Sequence, residues 1–146
     1  MQIEVKIDSD YKIPKVVILT DKMSDEIDSL LKKLSEETPR VISGFRNGSL
    51  EILEQSSIVK IYCAAGKVYA SANGEEYTLR LRLYELEKRL DPNSFVRISN
   101  SEIINLKKAV SFDLSLAGTI RVLFSDGTAS FVSRRYVSEI KRVLGI

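Results

Sequence analysis

Hydrophobic and polar positions in the first forty residues change from a period of two to a helical period. Ile3, Val5 and Ile7 alternate with polar residues, and residues 15–20 contain a continuous apolar run. Alternation predicts a half-buried strand, and the continuous run predicts a strand buried on both faces. Residues 23–34 then place their apolar side chains on one helical face, which predicts an amphipathic helix. The pattern therefore predicts a small N-terminal β-α unit over residues 1–40.

From residue 41 onward, the pattern is typical of an antiparallel β protein. Three dipeptides are strong hairpin signals because their residues tolerate a positive φ: Asn47-Gly48, Asn73-Gly74 and Asp126-Gly127. Ala65-Gly66 and Ala117-Gly118 provide two weaker turns. The strands predicted around these turns cover residues 41–46, 49–53, 58–64, 67–72, 75–81, 109–115, 119–124 and 128–132.

Apolar spacing predicts two further helices among these strands. Residues 83–90 share a helical face until Asp91-Pro92 ends the segment. The second helix occupies the C-terminal residues, where Ser133 is placed to cap its start and Gly145 to stop it. We therefore expect residues 41–146 to form a mainly β domain with short helices, preceded by the extension of residues 1–40.

Composition excludes several classes of site. Histidine is absent, which removes Ser–His and Cys–His nucleophile pairs and histidine-containing zinc sites. No glycine-rich phosphate loop occurs, and the paired carboxylates Glu75 and Glu76 fall at a hairpin tip, where we expect them to be solvated. We therefore expect no enzymatic activity, no cofactor, no metal ion and no small-molecule substrate.

The single cysteine and the apolar runs bear on the compartment. Cys63 lies in an apolar predicted strand, so we expect a buried thiol and no internal disulfide. No apolar run approaches the roughly 20 residues of a membrane span, and Glu4 and Asp8 interrupt any signal-peptide core. These features lead us to expect a cytoplasmic protein.

Charge is nearly balanced overall but unevenly distributed. The net charge is +2 for the chain, while residues 1–40 carry −2 and residues 97–146 carry +4. A basic C-terminal part permits a polyanionic partner, although a solvated mixed surface explains the charge equally well.

The richest polar cluster lies within residues 95–108. Arg97, Ser99, Asn100 and Ser101 carry groups suited to phosphate oxygens and base edges. The alternative is that residues 99–101 cap a short helix beginning near Glu102. Two further basic pairs complete the candidate set: Lys107 with Lys108, and Arg134 with Arg135.

The order of these parts resembles the LytTR family of bacterial DNA-binding domains. The resemblance rests on residues 95–108, the Asp126-Gly127 hairpin, the run Val132-Ser133-Arg134-Arg135 and the helix ending before Asp91-Pro92, and it covers residues 45–146. It implies an elongated antiparallel β fold that sets loops into successive major grooves and binds spaced direct repeats in double-stranded DNA as a homodimer.

The resemblance also implies roles for individual residues. The family's base-reading position falls on Asn100, its C-terminal arginine on Arg135, and a DNA-contacting loop on Ala65, Gly66 and Lys67. The chain departs from the family pattern at Ser99, where histidine is usual, and at Glu102, where an aromatic residue is common. It resembles the small stand-alone members without a receiver domain, which are commonly encoded beside a small membrane protein that restrains them.

These observations favour a sequence-specific transcription regulator without enzymatic activity. Asn100 would read a base edge, and the basic side chains at 97, 107, 108, 134 and 135 would supply phosphate contacts. The alternative is a non-catalytic protein–protein interaction module that uses β edges or the N-terminal helix. DNA binding is favoured if Lys67, Asn100 and Arg135 share one exposed surface. An enzyme would instead require two carboxylates that converge in a pocket.

Overall fold

The computed structural model describes residues 1–34 and 41–146, which divide between two compact units, Met1–Pro39 and Arg40–Ile146. In the first unit, helix α1 (Asp25–Leu34) forms where the apolar spacing predicted it. Its first turn is acidic and its last turn basic, an arrangement that favours the helix dipole. Ser24 Oγ accepts a hydrogen bond from the Ile27 backbone N–H at 3.3 Å, as a helix-capping side chain does.

The strands predicted for the N-terminal unit do not form. Residues 2–7 and 15–20 contain no strand, and their apolar side chains are mostly exposed, with Ile3 at 90% and Leu19 at 91%. Alternation indicates which side chains would share a face of a sheet. A strand also needs a hydrogen-bonded partner, and residues 1–34 provide none.

The second unit contains two antiparallel sheets, as the turn signals predicted. The larger sheet has seven strands in the order β2-β1-β5-β4-β3-β7-β6. Its strands are β1 (Ile42–Arg46), β2 (Ser49–Leu53), β3 (Ile58–Ala64), β4 (Lys67–Ala72), β5 (Glu75–Leu79), β6 (Phe95–Ser99) and β7 (Glu102–Asn105). The smaller sheet has the order β10-β9-β8 and consists of β8 (Ala109–Asp113), β9 (Ile120–Phe124) and β10 (Ala129–Val132).

Helices α2 (Leu83–Arg89) and α3 (Arg134–Leu144) form at the predicted places, and single 3₁₀ turns occupy Gln55–Ser57 and Leu106–Lys108. Asn47, Ala65 and Asn73 all have positive φ and precede glycines, which confirms the hairpin turns predicted there. Gly145 ends α3 in the left-handed conformation with φ 76°, as expected.

The larger sheet is buried against two separate cores. One core packs α2 against one face of the sheet and includes Leu86, Ile61 and Ile103. The other contains residues of the smaller sheet, α3 and the larger sheet, among them Ile104 and Ile140. Ile103 and Ile104 are successive residues of β7, and each is at most 1% exposed. Because successive strand side chains point to opposite faces, β7 contributes to both cores.

The buried side chain of Asn105 stabilises the end of β7. It is 1% exposed, and its Nδ2 donates to the Ile58 carbonyl at 2.8 Å. Its Oδ1 accepts the Lys107 backbone N–H at 3.0 Å and thereby caps the 3₁₀ turn that follows β7. One amide thus satisfies a donor and an acceptor that belong to two segments distant in sequence.

We expect Asn105→Ala to lower the free energy of unfolding by about 1–3 kcal/mol, because it leaves buried backbone groups without their partners. The midpoint of urea unfolding measures the change. Asn93→Ala, at an exposed position, is the matched control and should cost much less. Equal midpoints for the two variants would show that the Asn105 bonds do not stabilise the fold.

Candidate nucleic-acid interface

Three segments of the second unit meet at one end of the seven-stranded sheet. They are the β3–β4 turn at Ala65-Gly66, the β6–β7 turn at Asn100-Ser101, and the first turn of α3. The Cys63 N–H donates to the Ser101 carbonyl at 2.8 Å, which joins the two hairpins next to their tips. We call this set of two turns and one helix start the basic end.

Hydrogen bonds also join α3 to the basic end. The Ser133 N–H donates to the Ile98 carbonyl at 2.9 Å, and the Tyr136 hydroxyl donates to Asn100 Oδ1 at 3.2 Å. Ser133 occupies the N-cap position of α3, but its hydroxyl contacts the Ile98 carbonyl at 3.3 Å instead of capping the helix. The start of α3 is therefore fixed against β6 and against the adjoining turn.

Residues 99–101 do not cap a helix, so that alternative is wrong. Glu102 begins strand β7, and the preceding residues form the turn between β6 and β7. Ser99 Oγ accepts the Ser101 backbone N–H at 3.1 Å, a local bond that stabilises the turn. Asn100 is exposed at the tip.

Arg97 bonds to the same turn rather than extending into solvent. Its Nε donates to the Ser99 carbonyl at 2.7 Å, and its Nη2 donates to the Asn100 carbonyl. Its Nη1 pairs with the Glu87 carboxylate of α2. Because the guanidinium is occupied by acceptors within the protein, this geometry differs from the phosphate contact expected from the sequence.

Lys67, Asn100 and Arg135 lie at the basic end, and each of them is exposed. Lys67 begins β4 directly after the β3–β4 turn, and the Arg135 guanidinium lies 5.9 Å from the centre of the Tyr136 ring. Arg134, also exposed, lies beside Gly118 in the β8–β9 loop, where a Cβ atom would stand 2.8 Å from the arginine Nε. All three side chains, those of Lys67, Asn100 and Arg135, are therefore exposed at the same end of the larger sheet.

The structure does not bring Lys107 and Lys108 to the basic end. They follow the opposite end of β7, and that four-residue strand separates them from Asn100 by roughly 13 Å along its axis. The sequence predicted phosphate contacts for both the cluster at residues 97–101 and the Lys107–Lys108 pair. The extended backbone of β7 instead places the 97–101 cluster and the Lys107–Lys108 pair at opposite ends of the sheet.

The Glu102 carboxylate has partners within the protein, so it does not present a free negative charge to a polyanion. Its carboxylate accepts from the Ser130 hydroxyl at 2.6 Å and pairs with Lys60 at 3.8 Å. The side chains of Glu102 and Lys60 are 17% and 18% exposed. This contact links the two sheets, and the negative charge has a cation beside it.

The family comparison agrees with this architecture. Residues 48–145, more than half of the chain, match the LytTr DNA-binding domain family. The chain is a member of the LytTR family. It therefore carries a DNA-binding domain whose matched range includes both turns of the basic end and α3.

Two relatives and one solved structure are similar to this chain. A Staphylococcus aureus (strain NCTC 8325) protein described as an uncharacterized HTH-type transcriptional regulator is 30% identical over 147 residues, covering 100% of this chain and 99% of the relative. A protein of the same description from S. aureus strain MSSA476 is 32% identical over 126 residues, covering 86% and 85%. A LytTr DNA-binding domain from Bacillus cereus shares the fold, with a TM-score of 0.70 at 23% identity, covering 73% of this chain and 97% of that domain.

Within the described residues, the helices of this LytTR protein do not form a helix-turn-helix. Across residues 1–34 and 41–146, five strands separate α1 from α2 and a further five separate α2 from α3. None of the helices in those ranges is long and apolar enough to cross a membrane. In the same ranges, no three Cys, Asp or Glu side chains gather where they could hold a metal ion.

Two residues outside the predicted site residues stabilise the basic end of the LytTR domain. Tyr136 directly follows the two arginines, so an aromatic residue at the helix start was the available signal. Glu87 offers no such signal, because it reaches Arg97 only after α2 packs beside β6.

Cys63 is exposed, so the prediction of a buried thiol is wrong. It lies one residue before the end of β3, where the strand extends toward the β3–β4 turn. The last two residues of β3 are exposed, whereas Ile61 within the same apolar run is fully buried. The apolar run marked the strand but did not show where its covering layer stops.

Glu75 and Glu76 are exposed beside the hairpin turn, as predicted, and each also has a partner within the protein. Glu75 pairs with Arg46 at 3.1 Å, and Glu76 accepts a hydrogen bond from the Tyr62 hydroxyl. Tyr62 also stacks on Tyr69 with ring centroids 5.5 Å apart. The pKa of Tyr62 is raised to about 12, chiefly by burial and secondly by the Glu76 carboxylate.

We expect tyrosinate absorbance to show one of the six tyrosines ionising near pH 12 and to lose that component in Tyr62→Phe. Glu76→Gln should lower the Tyr62 pKa only partly, since burial is the larger cause. An unfolded tyrosine ionises near pH 10. The raised pKa therefore stabilises the fold below pH 10, and this contribution is lost as the pH rises toward 12. A wild-type titration without a late component would contradict this assignment.

Proposed function

We propose that this LytTR protein is a sequence-specific transcription regulator that binds double-stranded promoter DNA through the basic end. The observation that carries the proposal is the convergence of the β3–β4 turn, the β6–β7 turn and the start of α3 at one end of the larger sheet. Loops that project together from a rigid sheet suit contact with a groove, because the sheet fixes their spacing.

Asn100 is the proposed base-reading residue. A carboxamide can form two directed hydrogen bonds with an adenine edge, and Asn100 is exposed at the tip of its turn. Lys67 and Arg134 would attract phosphates, and Ser99 and Ser101 would place hydroxyl groups beside those phosphates. Arg135 would grip a phosphate or pair with guanine, since a guanidinium suits either acceptor.

A regulatory role is supported by relatives that match nearly the whole chain. The two S. aureus proteins are described as transcriptional regulators. We propose that this protein acts at promoter DNA in the cytoplasm, without an enzymatic step.

We further propose a homodimer on spaced direct repeats, with a membrane protein as its regulator, as the family resemblance implies. The first unit supports self-association, because Val16, Ile18 and Met23 line an apolar groove along α1 together with Ile27 and Leu31. Val16 and Met23 are mostly exposed, and exposed apolar side chains are typical of surfaces that contact another protein.

Asn100→Ala tests the reading role on a duplex selected with the wild-type protein from a random library. We expect its affinity for that duplex to fall by about 1–3 kcal/mol, with a much smaller loss on a scrambled duplex, because a base contact is sequence-dependent. Fluorescence anisotropy against both duplexes measures the difference. The same titrations with Arg135→Ala separate its two roles, since a guanine contact loses affinity mainly on the selected duplex.

Lys67→Ala and Lys107→Ala form a matched pair that removes the same charge at opposite ends of the sheet. We expect Lys67→Ala to weaken binding to both duplexes and to reduce the salt slope by about one unit. Lys107→Ala should leave the slope unchanged. Equal effects would disprove the proposed orientation, and normal binding by Asn100→Ala, Arg135→Ala and Lys67→Ala would favour the interaction-module alternative.

The dimer proposal is tested with the full chain on duplexes that contain one or two copies of the selected repeat. We expect sedimentation to show two protomers on the two-copy duplex, with tighter binding than on the one-copy duplex because the second contact becomes intramolecular. Independent binding of one protomer to each repeat, with the affinity measured on the one-copy duplex, would overturn the homodimer proposal.

A further inference from the structure

We infer that Arg97, Tyr136 and Glu87 are positioning residues that hold Asn100 for DNA reading and do not themselves contact DNA. This inference rests on the proposed function of Asn100. It assigns a role to two side chains outside the predicted site residues, Tyr136 and Glu87, and it replaces the phosphate contact expected of Arg97.

Arg97 fixes the backbone of the β6–β7 turn. A guanidinium presents five N–H donors in a rigid plane. Its Nε and Nη2 donate to successive carbonyls of the turn, those of Ser99 and Asn100. Two bonds from one rigid group to neighbouring peptides restrict the direction in which the Asn100 side chain leaves the backbone.

The Glu87 carboxylate pairs with Nη1, the third nitrogen of the guanidinium. It approaches from α2, whose Leu83 and Leu86 are buried in the core that covers one face of the sheet. The Arg97 side chain is 23% exposed and its charge lies beside a carboxylate. Both features reduce its attraction for a phosphate and increase its value as a brace between helix and turn.

Tyr136 fixes the amide itself. Its hydroxyl donates to Asn100 Oδ1 at 3.2 Å, which assigns the oxygen to the side of the amide that faces α3. The Nδ2 group then occupies the other side and presents N–H donors. Because Oδ1 has a second lone pair, the held amide still offers a donor and an acceptor together.

The three positioning residues are reachable from solvent. Glu87, Arg97 and Tyr136 line a groove of about 550 Å³ between α2 and α3, along the edge of β6. Hydrogen bonds and an ion pair connect the β6–β7 turn to both helices of the second unit. Glu87 and Arg97 connect it to α2, and Tyr136 connects it to α3.

Charge-preserving and charge-removing substitutions of Arg97 separate bracing from phosphate contact. Lysine keeps the charge but cannot bond to both carbonyls and Glu87 in the same geometry. We expect Arg97→Lys and Arg97→Ala to lower the preference for the selected over the scrambled duplex alike, while the salt slope on the scrambled duplex stays at its wild-type value. If alanine reduces that slope by about one unit and lysine restores it, Arg97 contacts phosphate and the inference is wrong.

Tyr136→Phe removes only the hydroxyl and keeps the ring, so it tests the brace in a folded protein. We expect the preference for the selected duplex to fall by about twofold to tenfold, the amount that corresponds to one hydrogen bond. Tyr84→Phe is the matched control, since Tyr84 is exposed on α2 and lies outside the basic end. It should leave the preference unchanged.

A double-mutant cycle between Tyr136→Phe and Asn100→Ala links the two residues. Once Asn100 is truncated, Tyr136→Phe should cause no further loss, because the hydroxyl acts through the amide. Additive losses would overturn the inference and leave the reading role of Asn100 intact. An Asn100→Ala variant with full preference for the selected duplex would instead defeat the proposed function, so the two failures are distinguishable.

Discussion

The pairing of β3 with β7 is the contact on which the candidate interface depends. These strands are distant in sequence, yet Tyr62 lies opposite Glu102 and Ile61 opposite Ile103. This register places the β3–β4 turn beside the β6–β7 turn, and Asn105 fixes the other end through its bond to Ile58. A slip of one residue would exchange Ile103 and Ile104 between the two cores, so burial specifies the register strongly.

Residues of the same type take different roles in this LytTR domain because their partners differ. Arg97 and Arg135 both lie near Asn100, but Arg97 bonds to two carbonyls and Glu87, whereas Arg135 is exposed at the start of α3. The exposed cation is free to meet a polyanion, and its attraction decreases with salt. The bonded cation instead restrains the backbone. Net charge therefore describes the basic end less well than the hydrogen bonds of each group.

The basic end combines rigid strands with a strained turn residue. Ala65 has a φ of 51° at the tip of the β3–β4 hairpin, a conformation that costs about 1–2 kcal/mol for a residue with a Cβ atom. The ladder of β3 and β4 and the bond from Cys63 to Ser101 hold the turn in this shape. Such strain persists only where surrounding structure fixes the backbone, which is consistent with a loop set in one position.

The sequence by itself determined the features of this protein that depend on neighbouring residues. Asn-Gly and Ala-Gly pairs specified the hairpins because positive φ is a local property, and Gly145 specified the end of α3 for the same reason. Lys67, Asn100 and Arg135 were proposed from sequence, with the family resemblance as a guide, and their contact with DNA stays a prediction. The tertiary structure alone decided what depends on distant partners. It left residues 2–7 and 15–20 outside any strand, exposed Cys63 beyond its covering layer, bonded Glu76 to Tyr62 and separated Lys107 from Asn100. It also assigned Arg97 to Glu87, because the partner of a side chain is set by packing between elements, which local pattern does not specify.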